Sequence, residues 1–441
     1  MRLDVLIEGR LAGEVDLTNH DIPGFRYRDE YLRGPSPTPL SIRLPTVSDA
    51  PVSAPWLASW LEGLLPESSR VRRDWCDTNG VDEDLPLHLL GTSVGADCAG
   101  AVQFCQPEAT EELLSGTGSL VTLTDDEAHR WLRSLRANPA YRPQRWTTDV
   151  GWSLSGMQPK VAWRRVGEGW AVARGREPTS HIVKVTRLEY EHEALIEHLT
   201  LRTAARLGIP SARTSIIEWD DVEAIAVDRF DRSRHTSTSP LVRIHQEDFC
   251  QAAGLPPARM KYQRFGGPDP ARCARLLDDP VALAAAGDLA RFRDMLLFQW
   301  LIVNPDAHAK NYGLLLRGNS RLLTPLYDAS TWLPYRSGAR TETLTLAMFT
   351  GPNRTVRAAD TAAAIAGLSA ALGLSAQATA ERAEDLATRL PAAVEATINE
   401  APTHHQDLPE VSVFAEELPA RALQCANVAR KARRGLRPTA S

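Results

Sequence analysis

The sequence predicts an α+β chain with a strand-rich lobe followed by a helical lobe, preceded by a small α/β domain. Three observations carry this. The chain has 441 residues, more than one hydrophobic core usually organises. Period-two apolar alternation with turn residues concentrates before about residue 235, and helical spacing dominates from about 240 onward. A polar stretch, 106-QPEATEELLSGTG-118, reads as a linker after the first hundred residues. The expected domains are therefore 1–105, 106–235 and 236–441.

Taken in order, 1–18 alternates around Gly9-Arg10 and predicts a β-hairpin. Residues 35–45 are proline-rich turns. The stretch 56-WLASWLEGLLPES-68 has helical apolar spacing and stops at Pro66. Residues 81–104 read as a short helix, a glycine-containing loop and a strand. Thr124 followed by Glu127 is a capping pattern that opens a helix over 124–135. Strands are expected within 160–174, 181–186, 213–220 and 222–230, with a helix over 189–208 closed by Gly208 and Pro210. Farther on, 313–328 predicts a hairpin across Gly318-Asn319, and 342–348 a strand. Alanine-rich helices fill 357–400 and 415–434.

Composition narrows the class. With 43% hydrophobic and 24% charged residues the chain is neither disordered nor fibrous. A net charge of −5 argues against a general polyanion binder, which carries a basic footprint. The basic tail 430–441 reads as a solvated terminus. Six cysteines, at 76, 98, 105, 250, 273 and 425, form no C-x-x-C and no zinc-finger spacing, which predicts reduced thiols. The N-terminus lacks the pattern of a secretory signal, and no apolar run is long enough to cross a bilayer. A cytoplasmic protein without a membrane role is expected.

The chemistry concentrates in 304-NPDAHAKN-311. Asp306 and Asn311 have the Asp-to-Asn interval of the protein-kinase catalytic loop, where the Asp takes the proton of the attacking hydroxyl and the Asn oxygen holds magnesium. A hairpin then returns the chain to Asp328, a second hard oxygen ligand suited to Mg²⁺. Upstream, Lys184 sits inside an apolar strand and Glu197 on the next helix, the order in which kinases place their phosphate-contacting Lys and its Glu. The strand ending in Asp228-Arg229-Phe230 stands where a hinge would read adenine. The loop 151-GWSLSGMQPK-160 offers Ser153, Ser155, Gly156 and Lys160 for phosphates, although it is neither G-x-G-x-x-G nor a Walker A motif. Each piece alone has an ordinary structural explanation: Asp and Asn favour turns, Lys184 snorkels from an edge, Glu197 is a surface residue, Asp328 caps, and His308 hydrogen-bonds. Their shared order favours the catalytic reading.

With these residues in place, the chain resembles the HipA family, the kinase toxins of bacterial toxin–antitoxin pairs. The resemblance rests on 153-SLSGMQPK-160, 181-HIVKV-185, 196–210, 225-IAVDRFDR-232, 244-IHQEDFCQAAGLP-256, 298–311 and 324-TPLYD-328, with 63–68 and 91–102 matching the family's N-terminal domain. It implies an atypical two-lobed protein-kinase-like fold and a serine/threonine kinase using ATP and Mg²⁺. Asp306 would be the base, with His308 the catalytic-loop histidine, and Asn311 and Asp328 the metal ligands. Ser153, Ser155, Gly156, Lys160 and Lys184 would face the phosphates, Glu197 would pair with Lys184, and Asp228 and Phe230 would line the adenine. The implied acceptor is a translation protein, notably glutamyl-tRNA synthetase. The implied partner is a HipB-like helix-turn-helix antitoxin, through which operator DNA is bound. Growth arrest and persistence, and autophosphorylation at Ser153 or Ser155 as an off-switch, follow from the same resemblance. The chain departs from the family pattern at Pro159, often Glu, and at Asp228, often Glu. Two rival readings stand beside it: a small-molecule kinase, and a non-catalytic module that binds an antitoxin and a DNA-bound repressor.

Overall fold

Residues 1–17, 22–47, 51–82, 85–115, 118–146, 151–219, 221–234, 236, 240–277, 287–336, 345–350, 356–357 and 362–435 are described in a computed structural model of the chain. They form two compact units. The first comprises Met1–Leu188, Ile216–Ala258 and Gly313–Arg321, and the second Glu189–Ser215, Arg259–Tyr312 and Leu322–Ser441. The secondary structure mixes helices and sheets throughout, as an α+β chain requires.

The first unit opens with a five-stranded antiparallel sheet. Its strands are β1 (Arg2–Ile7), β2 (Arg10–Leu17), β3 (Pro23–Tyr27), β4 (Val52–Ser53) and β5 (Val102–Cys105), in the order β4-β3-β2-β1-β5. The first hairpin turns at Glu8 and Gly9, with φ of 53° and 73°, one residue before the expected centre. Positive φ at both loop positions is the turn whose twist suits a two-residue hairpin. The helix Ser69–Asn79 was not expected: only Val71, Trp75 and Cys76 are buried, too sparse a pattern to read. It is capped by Ser68, whose side chain accepts from Val71 N–H, and it ends at Gly80 with φ 64°. Residues 107–114, expected as linker, form a 3₁₀ turn and a short helix.

A second, six-stranded sheet follows in the same unit. It comprises β6 (Gly118–Leu123), β7 (Lys160–Val166), β8 (Gly169–Gly175), β9 (His181–Val185), β10 (Thr214–Trp219) and β11 (Val222–Asp228), ordered β10-β11-β9-β7-β8-β6. The helix Asp125–Ala137 begins with the expected reciprocal capping box of Thr124 and Glu127. The core is rich in tryptophan: Trp60, Trp75, Trp131, Trp152 and Trp163 are buried in it. Two short strands, β12 (Arg232–Ser233) and β13 (Val242–Arg243), pair with each other. Beyond them β14 (His245–Asp248) pairs antiparallel with β15 (Gly313–Arg317), and β16 (Ser320–Leu323) follows across the expected Gly318-Asn319 turn.

The second unit is mainly helical. Its principal helices are Glu193–Arg206, Asp288–Leu301, Ala362–Leu372, Ala376–Asn399 and Pro409–Gly435. The first closes as expected, with Gly208 at φ 80° and Ile209 N–H donating to Ala204 O at 3.1 Å. Arg357, expected in a helix, lies in the short strand Val356–Arg357. Of the strand expected over 342–348, Thr345–Leu346 is extended and 342–344 lie outside the described residues, as do 436–441 of the basic tail. Among the described residues no helix is long and apolar enough to cross a membrane.

Candidate active site

In the first unit, β7 and β9 pair so that Lys160 stands directly opposite Lys184. Directly paired residues share a face of the sheet, so both lysine side chains leave the same face. Lys184 is buried, with Ile225 of β11 as its neighbour in register on the other side. Lys160 Nζ donates to Ser155 O at 2.6 Å. Gly156 has φ 102°, a backbone conformation that suits glycine, and a Cβ there would meet the end of the Lys160 side chain.

The loop's base is stitched to the segment 97–99. Ser153 N–H donates to Asp97 O at 3.0 Å, Ala99 N–H donates to Ser153 O at 3.3 Å, and Ser153 Oγ donates to Leu64 O at 2.7 Å. Ser153 is wholly buried as a result, whereas Ser155 is partly exposed. The Asp97 carboxylate in turn accepts from Arg229, Arg232 and Arg243, at 3.1, 2.9 and 3.0 Å. Asp231 pairs with Arg229 and Arg232 at 2.8 and 3.1 Å. Burial alone would push the Asp97 carboxyl up, but Arg232, Arg229 and Arg243 outweigh it and hold it well below the usual carboxylate range. The same cluster fixes the chain after β11. There Asp228, half-exposed, pairs with its register partner His181 at 2.8 Å, and Phe230 is half-buried.

The second unit holds the other expected residues. The helix Asp288–Leu301 ends before Val303, which adopts φ 55° although it is β-branched and buried. Asn304 then braces the loop. Its N–H and Nδ2 bond the main chain and side chain of Gln299 at 3.1 and 3.0 Å, and its Oδ1 accepts from Asp306 N–H at 2.9 Å. Asp306 O accepts from His308 N–H at 2.8 Å and from Asn311 Nδ2 at 2.9 Å. Asn311 Nδ2 also donates to Asp328 O at 3.4 Å. With its nitrogen committed to two carbonyls, the buried Asn311 presents Oδ1 as a hard oxygen. Asp328, at φ 53° after the hairpin that returns to this loop, is the second positive-φ residue near it, and such strain clusters where function over-determines the backbone.

The structure therefore joins Asp306, His308, Asn311 and Asp328 in the second unit, and Ser153, Ser155, Gly156, Lys160, Lys184, Asp228 and Phe230 in the first. Glu197 is buried on the helix Glu193–Arg206 of the second unit. His308 is buried, with Nε2 at 3.9 Å from Asp306 Oδ1, outside hydrogen-bond reach. The sequence reading missed Asp97, Asn304 and Tyr262, whose hydroxyl bonds Asp306 Oδ1. Of these only Asn304 carried a signal, its place in the same loop.

Comparison with known proteins gives the family. Residues 3–105 match the HipA N-terminal domain and residues 152–397 the HipA-like C-terminal domain. A putative kinase, Y4mE, of Sinorhizobium fredii is 31% identical over 333 residues, covering 76% of this chain and 78% of its own. The serine/threonine-protein kinase toxin HipA of Shewanella oneidensis is 29% identical over 299 residues, 66% of each chain. The solved HipA of Shewanella oneidensis MR-1, in complex with HipB and its operator DNA, superposes with a TM-score of 0.80 at 25% identity, over 98% of this chain and 99% of that one. A matched family domain over more than half the chain, and a relative above 30% identity over three quarters of it, place this chain in the HipA family, as a serine/threonine-protein kinase of the toxin type.

Proposed function

We propose that the chain transfers the γ-phosphoryl group of ATP, with Mg²⁺, to a serine or threonine of a translation protein such as glutamyl-tRNA synthetase. The carrying observation is the loop in which Asp306 and Asn311 are locked to one another and to the Asp328 main chain. Asp306 takes the hydroxyl proton as that oxygen bonds the γ-phosphorus. The bond from the γ-phosphorus to the bridging oxygen breaks, and ADP leaves with the electron pair. Lys160 and Lys184, paired across two strands, hold the phosphates. The donor set fits magnesium: Asn311 Oδ1 and the Asp328 carboxylate are hard oxygens, which leaves room for the phosphates and water this ion retains. Such an ion, when bound, neutralises phosphate charge. In the same reading Glu197 is the helix acid of the kinase order, Asp228 and Phe230 face the adenine, and His308 supports the catalytic loop.

The domain boundaries 1–105, 106–235 and 236–441 belong to the same reading. So does a HipB-like helix-turn-helix antitoxin as partner and carrier of the operator DNA contact; the solved Shewanella HipA is in complex with HipB and its operator DNA. Growth arrest and persistence are the expected phenotype. All six cysteines are free and buried, in keeping with a reducing cytoplasm. Self-phosphorylation is expected first at Ser155, because Ser153 is buried and bonded to Leu64 O. The added charge, about −1.5 to −2, would fall where ATP phosphates sit and switch the kinase off.

The test is label transfer from radioactive ATP to glutamyl-tRNA synthetase and to the chain itself, by wild type and Asp306→Asn. Loss of about a hundredfold or more is expected. Transfer that survives in Asp306→Asn removes Asp306 as the base. A label found on a metabolite with none on protein would move the substrate class to small molecules.

A further inference from the structure

The segment around Tyr262 carries a side chain that the kinase reading leaves unused. Its hydroxyl donates a hydrogen bond to Asp306 Oδ1. Its ring meets His308 edge-on, with centroids 5.1 Å apart at 86°, and meets Phe265 at 6.1 Å and 83°. The backbone on either side is pinned. Lys261 O accepts from Ala309 N–H at 3.1 Å, so the catalytic loop itself holds the segment. Gln263 N–H donates to Ala347 O at 3.3 Å, and Gln263 Oε1 accepts from Phe349 N–H at 3.1 Å.

Asp306 shows why this matters. Its main chain is fixed by Asn304, His308 and Asn311. Its side chain is 63% exposed, and His308 Nε2 lies too far to bond it. A solvent-facing carboxylate on a rigid backbone still rotates about two side-chain bonds. Reaction requires the accepting oxygen to be held near the attacking hydroxyl, and misplacement by about 1 Å costs roughly a hundredfold in rate.

We infer that Tyr262 is a positioning residue for phosphoryl transfer: its hydroxyl holds Asp306 Oδ1 and leaves Oδ2 as the oxygen that receives the substrate proton. The inference rests on the reading of Asp306 as base. A tyrosine that merely blocked the carboxylate would predict the opposite, a faster enzyme once its hydroxyl is gone.

The experiment measures ADP formation and label transfer by the full chain with ATP, Mg²⁺ and glutamyl-tRNA synthetase as the acceptor. It compares wild type, Tyr262→Phe, Asp306→Asn, the double variant and Phe265→Leu. Expected for Tyr262→Phe is a fall in kcat of about ten- to a hundredfold, with KM for ATP within about twofold and melting temperature unchanged. In the Asp306→Asn background the tyrosine change should cost nothing further. Phe265→Leu, which loosens the ring packing but keeps the hydroxyl, should retain kcat. If wild type is active and Asp306→Asn is not, then unchanged or faster turnover in Tyr262→Phe overturns the role of Tyr262 alone. An equal loss in Phe265→Leu also overturns it, by assigning the effect to packing. A wild type that transfers no phosphate overturns the proposed function and this inference with it, and an Asp306→Asn that still transfers it removes Asp306 as the base and, with that, this role of Tyr262.

Discussion

Replacing Asp97 by Asn removes one charge from a buried cluster and changes almost nothing in shape. In the wild-type fold, Asp97 and Asp231 face the guanidiniums of Arg229, Arg232 and Arg243, and all five side chains are nearly inaccessible. The substitution leaves three positive charges against one carboxylate. An ion pair at about 3 Å is worth roughly 5 kcal/mol at an effective dielectric near 20. Three such contacts do not sum, because desolvation of the ions opposes them. Removing one partner of a buried ionic group costs about 3–5 kcal/mol. For a cooperative unit of roughly 150–250 residues this lowers Tm by about 6–20 °C. The assay is thermal unfolding of the full chain by circular dichroism at pH 7, repeated down to acid pH. The folded pKa of Asp97 lies below its unfolded value, because the three arginines outweigh burial. Its contribution is therefore present above the ordinary carboxylate pKa, about 4, and lost as pH falls toward the folded value. The gap between wild type and Asp97→Asn should be full at pH 7 and shrink below about pH 4. A Tm within about 2 °C of wild type at pH 7 would refute the reasoning, as would a gap that widens in acid.

Glu247 gives the opposite sign. Burial pushes it up to about 7 against hydrogen bonds from Ile42 N–H, Ser41 Oγ and Trp60 Nε1, so stability tied to its protonated form is lost as pH rises through that value. In urea unfolding, Glu247→Gln should gain on wild type by about 1–3 kcal/mol between pH 5 and 8, and a constant difference would count against it. Gly156→Ala should weaken ATP binding at least about tenfold by calorimetry, because alanine is disfavoured at φ 102° and its Cβ meets Lys160. Asp328→Asn should leave Tm unchanged, since Asn tolerates positive φ, while lowering transfer by about a hundredfold and weakening its response to added Mg²⁺. A normal magnesium titration in that variant would remove Asp328 from the ligand set.

What the sequence showed and what it hid follow from the range of the interactions. The capping box at Thr124, the Gly208 helix end and the Gly318-Asn319 turn are local chemistry, and each forms as read. The Asp306-to-Asn311 interval is equally local, and the structure adds the amide of Asn311 bonded back to Asp306 O. Asp97 and Tyr262 escaped because their partners are distant in sequence: Arg229 is 132 residues from Asp97, and Asp306 is 44 from Tyr262. An aspartate in 91-GTSVGADCAGAV-102 looks like a loop residue until three arginines from elsewhere close on it. The positive φ of Val303 was hidden for another reason, since local preference argues against it: a buried β-branched residue is among the last expected there. Such disagreement between local preference and the fold is expected where function, not stability, selects the backbone. Val303 follows the helix that leads into the loop, and Asp328 follows the hairpin that returns to it. The one conformation that a sequence reader would reject, that of Val303, therefore stands immediately before the loop that carries Asp306 and Asn311, and Asp328 follows that loop as the second carboxylate.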